Sequence, residues 1–180
     1  MRQLQLVAHG KPSDVIELNT VSEPALGQEE ILVSMEAAPL NPSDFLLVQG
    51  MYGIRPAFPF PMGSEGVGRV AKTGSKVDAV LQGKRVLIVP TYEQGTWADQ
   101  VVVPVRNIVP MSDEADPLQL SMIGINPATA YLLLNRYVSP NARRLDRPNR
   151  SQLGDGAVRH RAREACRSQD PEYCPARRGC

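Results

Sequence analysis

The first 139 residues contain no cysteine, so neither a disulfide framework nor a thiolate metal site can be built from them. The chain has two histidines, His9 and His160, far apart in sequence, and no imidazole pair at ligand spacing. It has one tryptophan, Trp97. No apolar run approaches the roughly 20 residues that a membrane helix needs. The opening MRQLQLVAHG lacks the apolar centre of a targeting signal. These absences set the expectation of a cytoplasmic chain with no bound metal and no membrane partner.

Charge and cysteine divide the chain in two. Residues 1–139 hold ten Lys+Arg against fourteen Asp+Glu, a net charge of −4. Residues 140–180 hold ten Arg, no Lys and five acids, a net charge of +5, together with all three cysteines. The large aliphatic side chains of that segment are Leu145, Leu153 and Val158, too few to offset the entropy of ordering forty-one residues. The spacing of Cys166, Cys174 and Cys180 matches no zinc pattern. The arginines lack lysine partners and, Tyr173 apart, stacking aromatics, so nucleic acid is not an expected partner. Residues 140–180 are expected to be irregular.

The first 110 residues punctuate like a β-rich domain. LQLVA, VIELNTV, EEILVSMEAA, GVGRVAKTG, KRVLIVP, ADQVVVP and NIVP are short β-branched runs between Gly and Pro signals. KRVLIVP is apolar after its first two residues and predicts a strand covered on both faces. LNPSDFLLVQG predicts a helix with Asn41 as cap, Pro42 in the first turn and Gly50 as stop. Ser112 offers a cap for the acidic turn that follows it. INPATAYLLLNRYV predicts a second helix, with Asn126 as its cap.

Local chemistry at the candidate residues is modest. GSEGVGRV lies between two strand-like runs, so its glycines suit close backbone approach better than a phosphate cradle. Tyr52 sits just past a helix stop; its hydroxyl is a proton donor only if it faces a cleft. Asn126 is accounted for by capping alone, although a helix start carrying Asn126 and Thr129 can also meet a polar ligand. Trp97 suits a strand start, with pocket lining as the lesser alternative.

Taken in order, APLNPSD, QGMYGIRP, FPMGSEGVGRV, GKRVLIVP, GTWADQVVVP and INPATAYLLL resemble the N-terminal, GroES-like catalytic domain of the medium-chain dehydrogenase/reductase superfamily. The resemblance covers about residues 1–139. It implies a mainly β fold with short helices, a partly open barrel spanning 1–125, and a helix at 126–139 leading toward a Rossmann domain that this sequence does not show. Ser64 stands where the zinc-dependent branch carries a histidine ligand, so the resemblance is to the zinc-independent branch of quinone reductases and 2-enoyl thioester reductases. GMYGIRP and NPATAY look most like the enoyl reductases.

That branch transfers hydride from NADPH to the β-carbon of an α,β-unsaturated thioester, with a tyrosine as proton donor. The matching residue is Tyr52. Asn126, Thr129 and Asn41 match cofactor-side positions, and Trp97 is a weaker match to the substrate pocket. A quinone is the alternative substrate, and a non-enzymatic GroES-like binding module the alternative of another class. Intact members form homodimers, which this chain is not expected to form in the same way. Without the cofactor domain, weak NADPH binding and little or no turnover are expected of the 180 residues.

Where that domain should begin, the tail has a second property. Shifted by one base from the Pro140 codon, a coding strand for the tail permits DWIGQTAANSAMGQYVIALAKLAG, a strand, a Gly-containing turn and an amphipathic helix. Residues 140–180 are therefore expected to be an out-of-frame tail.

Overall fold

The computed structural model describes residues 1–91 and 95–137. The tail from 140, and the end of the second helix at 138–139, lie outside the described residues. The chain divides into two compact units, Met1–Gly124 and a second that starts at Ile125.

The first unit is two open antiparallel sheets. β1 (Arg2–Leu6) pairs with β2 (Ile16–Thr20) on one side and β4 (Phe60–Pro61) on the other. A four-residue helix, α1 (Pro12–Val15), joins β1 to β2. The larger sheet is built from β3 (Glu30–Ala37), β5 (Gly66–Thr73), β6 (Arg85–Ile88), β7 (Gln100–Pro104) and β8 (Ile108–Pro110), in the order β7-β3-β5-β6-β8. Each of the seven runs picked out by Gly/Pro punctuation contains one of these strands. β6 is buried at all four positions: Val86, Leu87 and Ile88 as an apolar strand with neighbours on both edges requires, and Arg85 through its bond to Glu36.

Two clusters hold the sheets. Ile31, Val33, Val70, Val86, Ile88, Val101 and Val103 fill the five-stranded sheet; all are β-branched, the residue type that packs best on a pleated surface. Leu6, Val15, Leu47, Val48 and Met62 form the second cluster, with Tyr52 and Trp97 packed against it. Each such side chain contributes roughly 1.5–3 kcal/mol on burial.

The β3–β5 pairing is bulged twice. Leu32 faces Lys72 but Val33 faces Val70, so Ala71 is passed over; Met35 faces Gly68 but Ala37 faces Val67, so Glu36 is passed over. Gly68 is required here by space. A Cβ on it would overlap the Ser34 carbonyl oxygen and stand 2.7 Å from Val33 Cγ1. The glycine-rich run thus serves strand packing, as its position between two strands indicates.

α2 (Pro42–Val48) starts at Asn41 and ends as expected. Gly50 has φ +71°, its N–H donates to Leu47 C=O at 3.0 Å, and the Met51 N–H donates to Leu46 C=O at 2.8 Å. This pair of bonds around a left-handed glycine is the Schellman motif. Further on, Ser112 Oγ accepts from the Glu114 N–H, while Asp116 caps α3 (Pro117–Leu120).

The second unit contains α4 (Asn126–Leu132), which passes into a π turn at Leu133–Tyr137. Here the expectation for Asn126 is corrected. The cap is Ile125, and Asn126 is the first helical residue. Residues 121–125 are already coiled as turns, so the helix begins without an extended residue for Asn126 to occupy. The Ile125 carbonyl accepts both the Thr129 N–H at 3.0 Å and the Thr129 hydroxyl at 2.9 Å.

Candidate functional site

Tyr52 is the first residue beyond the Schellman turn, so the geometry that stops α2 also sets where its side chain starts. It is half-buried and rests on the second apolar cluster. Inside its loop, Arg55 Nη1 donates to the Gly50 carbonyl at 3.2 Å, which draws the chain into a tight arch around Tyr52. A half-buried phenol steadied by apolar contact carries an O–H of the kind that serves as a proton donor.

Asn41 lies at the opposite end of α2, about 10 Å of helix away from Tyr52. It is buried, and its side-chain amide donates to Glu65 Oε1 at 3.0 Å. Its backbone N–H donates to Asp44 Oδ2 at 2.7 Å. Burial pushes the Asp44 carboxyl above the usual aspartate range, and the Asn41 N–H partly offsets this. Trp97 lies beside the same knot. Its Nε1–H donates to the Pro39 carbonyl at 3.0 Å, and the neighbouring Thr96 hydroxyl donates to the Glu65 carbonyl at 2.7 Å. Gly63, at φ +93°, is close-packed under Trp97: a Cβ there would stand 2.6 Å from Trp97 Cδ1.

The chain-distant contacts of Glu65 in this knot were not read from the sequence. Asn41 meets Glu65 across 24 residues, and Glu65 is fully buried. The local sequence gives no signal for this, since a glutamate is ordinarily exposed and is fully buried only when paired. Ser64 beside it is also buried, and its hydroxyl has no hydrogen-bond partner among the described residues. Among the described residues, no group of three His, Cys, Asp or Glu stands together to hold a metal ion. No helix among them is long and apolar enough to cross a membrane.

In the second unit Asn126 is half-buried and Thr129 exposed, with the Thr129 hydroxyl bonded back to its own helix. The structure therefore brings Asn41 and Trp97 into one knot, sets Tyr52 at the far end of α2, and carries Asn126 and Thr129 on a separate unit. Against a dinucleotide site each unit stands by itself. Asn126 and Thr129 offer polar contacts at a helix start, but the glycines at 63–68, the one run rich enough to cradle phosphates, are filled by Trp97, Met35 and the β3 backbone.

Comparison with known proteins gives one domain family and two kinds of reductase. Residues 27–113 match the alcohol dehydrogenase GroES-like domain. Mitochondrial enoyl-[acyl-carrier-protein] reductase of Bos taurus is 37% identical over 134 residues, 74% of this chain and 36% of that protein. The enzyme of the same name from Dictyostelium discoideum is 35% identical over 140 residues, 76% of this chain and 39% of that protein. The chain thus spans less than half the length of the curated relatives it matches. Among solved structures, the complex of Etr1p with NADP and crotonyl-CoA superposes with a TM-score of 0.65 at 26% identity, over 76% of this chain and 43% of that one. Quinone oxidoreductase from Pseudomonas syringae pv. tomato DC3000 gives 0.63 at 26%, over 73% and 40%. The fold is also shared with Escherichia coli quinone oxidoreductase complexed with NADPH, at a TM-score of 0.68 and 23% identity over 76% and 41%.

Proposed function

Because the body of this chain is a GroES-like domain of the medium-chain dehydrogenase/reductase superfamily, we propose that it is the catalytic-domain portion of an NADPH-dependent reductase acting on the C=C bond of 2-enoyl thioesters. The observation that carries this over a quinone substrate is the 37% identity to an enoyl-[acyl-carrier-protein] reductase along 74% of the chain. NADPH, when bound, supplies the hydride to the β-carbon. The chain's own contribution is at the α-carbon, where the Tyr52 hydroxyl donates the proton that completes saturation. The apolar cluster beneath Tyr52 supports this by fixing the ring and keeping water from one side of it.

Asn126 and Thr129 are assigned to the cofactor side of the intact enzyme, Asn41 to support of the cleft through Glu65, and Trp97 to its wall. Ser64 stands where zinc-dependent members place a histidine, and a buried hydroxyl is a poor zinc ligand beside imidazole, so no metal step enters. We further assign residues from about 140 to an out-of-frame tail. On that basis the 180 residues bind NADPH weakly and turn over little.

The test has two parts. First, the coding DNA is read across codons 135–145; if no base gained or lost there restores the expected continuation, the out-of-frame assignment is wrong. Second, the rebuilt full-length chain is assayed with NADPH against crotonyl-CoA and against a quinone. Preference for crotonyl-CoA, with a Tyr52→Phe loss of about 10²–10⁴ in kcat, is expected. Preference for the quinone assigns the chain to the quinone reductases instead, whose fold the Pseudomonas enzyme shares at 26% identity. Turnover of crotonyl-CoA by the 180-residue chain alone overturns the inactivity.

A further inference from the structure

His9 belongs to none of the groups above. It is exposed, in the turn between β1 and α1, and its imidazole lies against Gly50. A Cβ built on Gly50 would stand 3.1 Å from both Cγ and Cδ2 of His9. The same ring meets Phe58 edge to face, with centroids 5.0 Å apart and planes at 81°. Gly50 and Phe58 bracket the loop that carries Tyr52. One residue further, the Gly10 N–H donates to the Val48 carbonyl at 3.0 Å, so the His9–Gly10 segment is moored to the last turn of α2.

We propose that His9 is a positioning residue for Tyr52. It fills the space beside Gly50, the one place where the Schellman turn has no side chain of its own, and it holds the far end of the loop through Phe58. Three features separate this from ordinary packing. His9 is exposed, so its burial adds little to the core. It touches both ends of one loop rather than the body of a sheet. Its edge-to-face contact is directional, so it constrains orientation as well as distance. Within the loop, Arg55 ties back to the Gly50 carbonyl and so closes the first half. His9 closes the second. The coupling is a property of the 180-residue chain; its catalytic meaning rests on Tyr52 being the proton donor proposed above.

The experiment is ¹⁹F NMR on the 180-residue chain labelled with 3-fluorotyrosine, in wild type, His9→Ala and His9→Phe, with the Tyr52 signal assigned by its loss in Tyr52→Phe. Amide exchange at Gly50 and Met51, whose N–H groups close the Schellman turn, is read in parallel. In His9→Ala the Tyr52 signal should shift and broaden while those of the other tyrosines stay in place. Exchange at Gly50 and Met51 should speed up by about two- to tenfold, the fold-change that loss of an edge-to-face pair supports. His9→Phe, which keeps an aromatic edge, should restore both. An unmoved Tyr52 signal in folded His9→Ala overturns the proposal. So does a general collapse of all tyrosine signals, which would make His9 a residue of overall stability, and so does failure of His9→Phe to restore. None of these outcomes bears on whether Tyr52 donates a proton; that is read from the rate of Tyr52→Phe in the rebuilt enzyme.

Discussion

Arg85 Nε donates to Glu36 Oε2 at 2.7 Å, and it does so with the Arg85 side chain almost fully buried. The other end of the guanidinium, Nη1, donates to the carbonyls of Asp113 at 2.9 Å, Ala115 at 3.0 Å and Ser112 at 3.3 Å. One side chain thus ties β3, β6 and the approach to α3. Arg69 joins from the surface, reaching Glu36 at 2.9 Å and Asp113 at 2.7 Å.

Arg85→Ala strips three carbonyls and a carboxylate of their shared donor. The expected loss is about 3 kcal/mol, the low end for breaking a buried pair, because Arg69 still faces Glu36. Arg85→Lys should recover little of it, since a single ammonium cannot span the fork. Urea midpoints check both. An Arg85→Ala midpoint equal to wild type would show the clamp to be idle.

Ser64→Ala removes a buried hydroxyl that has no partner among the described residues. The expected result is neutral to stabilising, by up to about 1 kcal/mol, because an unpaired polar group no longer has to be desolvated. Thermal unfolding reads it. A loss of more than about 1 kcal/mol would mean that the hydroxyl is in fact bonded.

Gly68→Ala and Gly53→Ala form a matched pair. The first drives a methyl into the Ser34 carbonyl and 3.0 Å from the Met35 Cα, all on backbone that cannot swing aside. The second meets nothing within 4 Å. Gly68→Ala should cost about 3 kcal/mol or prevent folding, while Gly53→Ala should stay within about 0.5 kcal/mol of wild type. Similar losses at the two sites would contradict the close approach of β3 and β5.

Asp44 gives a pH dependence with a definite sign. Its folded carboxyl is raised by burial, so the stability it contributes is full below the ordinary aspartate range and is lost as pH rises through the folded value. Asp99 and Asp113 run the other way. Hydrogen bonds from Arg2 and Arg69 hold them below the usual range, so their contribution is present above it and lost as pH falls. Asp44→Asn keeps an acceptor for the Asn41 N–H without the charge. The Tm difference, variant minus wild type, should therefore become more positive from about pH 4 to about pH 7. A difference that stays flat would place Asp44 in solvent.

The strands were legible because their signals are local: β-branched runs, with Gly or Pro at the ends. So was α2, where Asn41, Pro42 and Gly50 each act within one turn of the residue they influence. Asn126 was misread because its role depends on the conformation of residues 121–125, where Gly124 marks a turn but does not tell that the coiling runs straight into the helix. Asn41–Glu65, Arg85–Glu36 and His9–Gly50 were invisible for another reason. Each joins residues 24 or more apart, and nothing in either local sequence names the partner. Tyr52 was visible as a candidate by resemblance, but what positions it was not.

The two bulges in the β3–β5 ladder cancel. Passing over Ala71 on one strand puts the pairing out of phase by one residue, and passing over Glu36 on the other brings it back. Each bulge bends its own strand and adds local twist. Because the offsets are opposite, the shifted register is confined to the stretch between them. The pairs at the two ends of the ladder, Ile31–Thr73 and Ala37–Val67, therefore have the same register offset. Removing Ala71 alone would make Val70 and Lys72 neighbours on alternating faces, as their partners Val33 and Leu32 already are, so the pairs beyond it would keep their faces; removing Glu36 as well would give a ladder with neither bulge and the same partners.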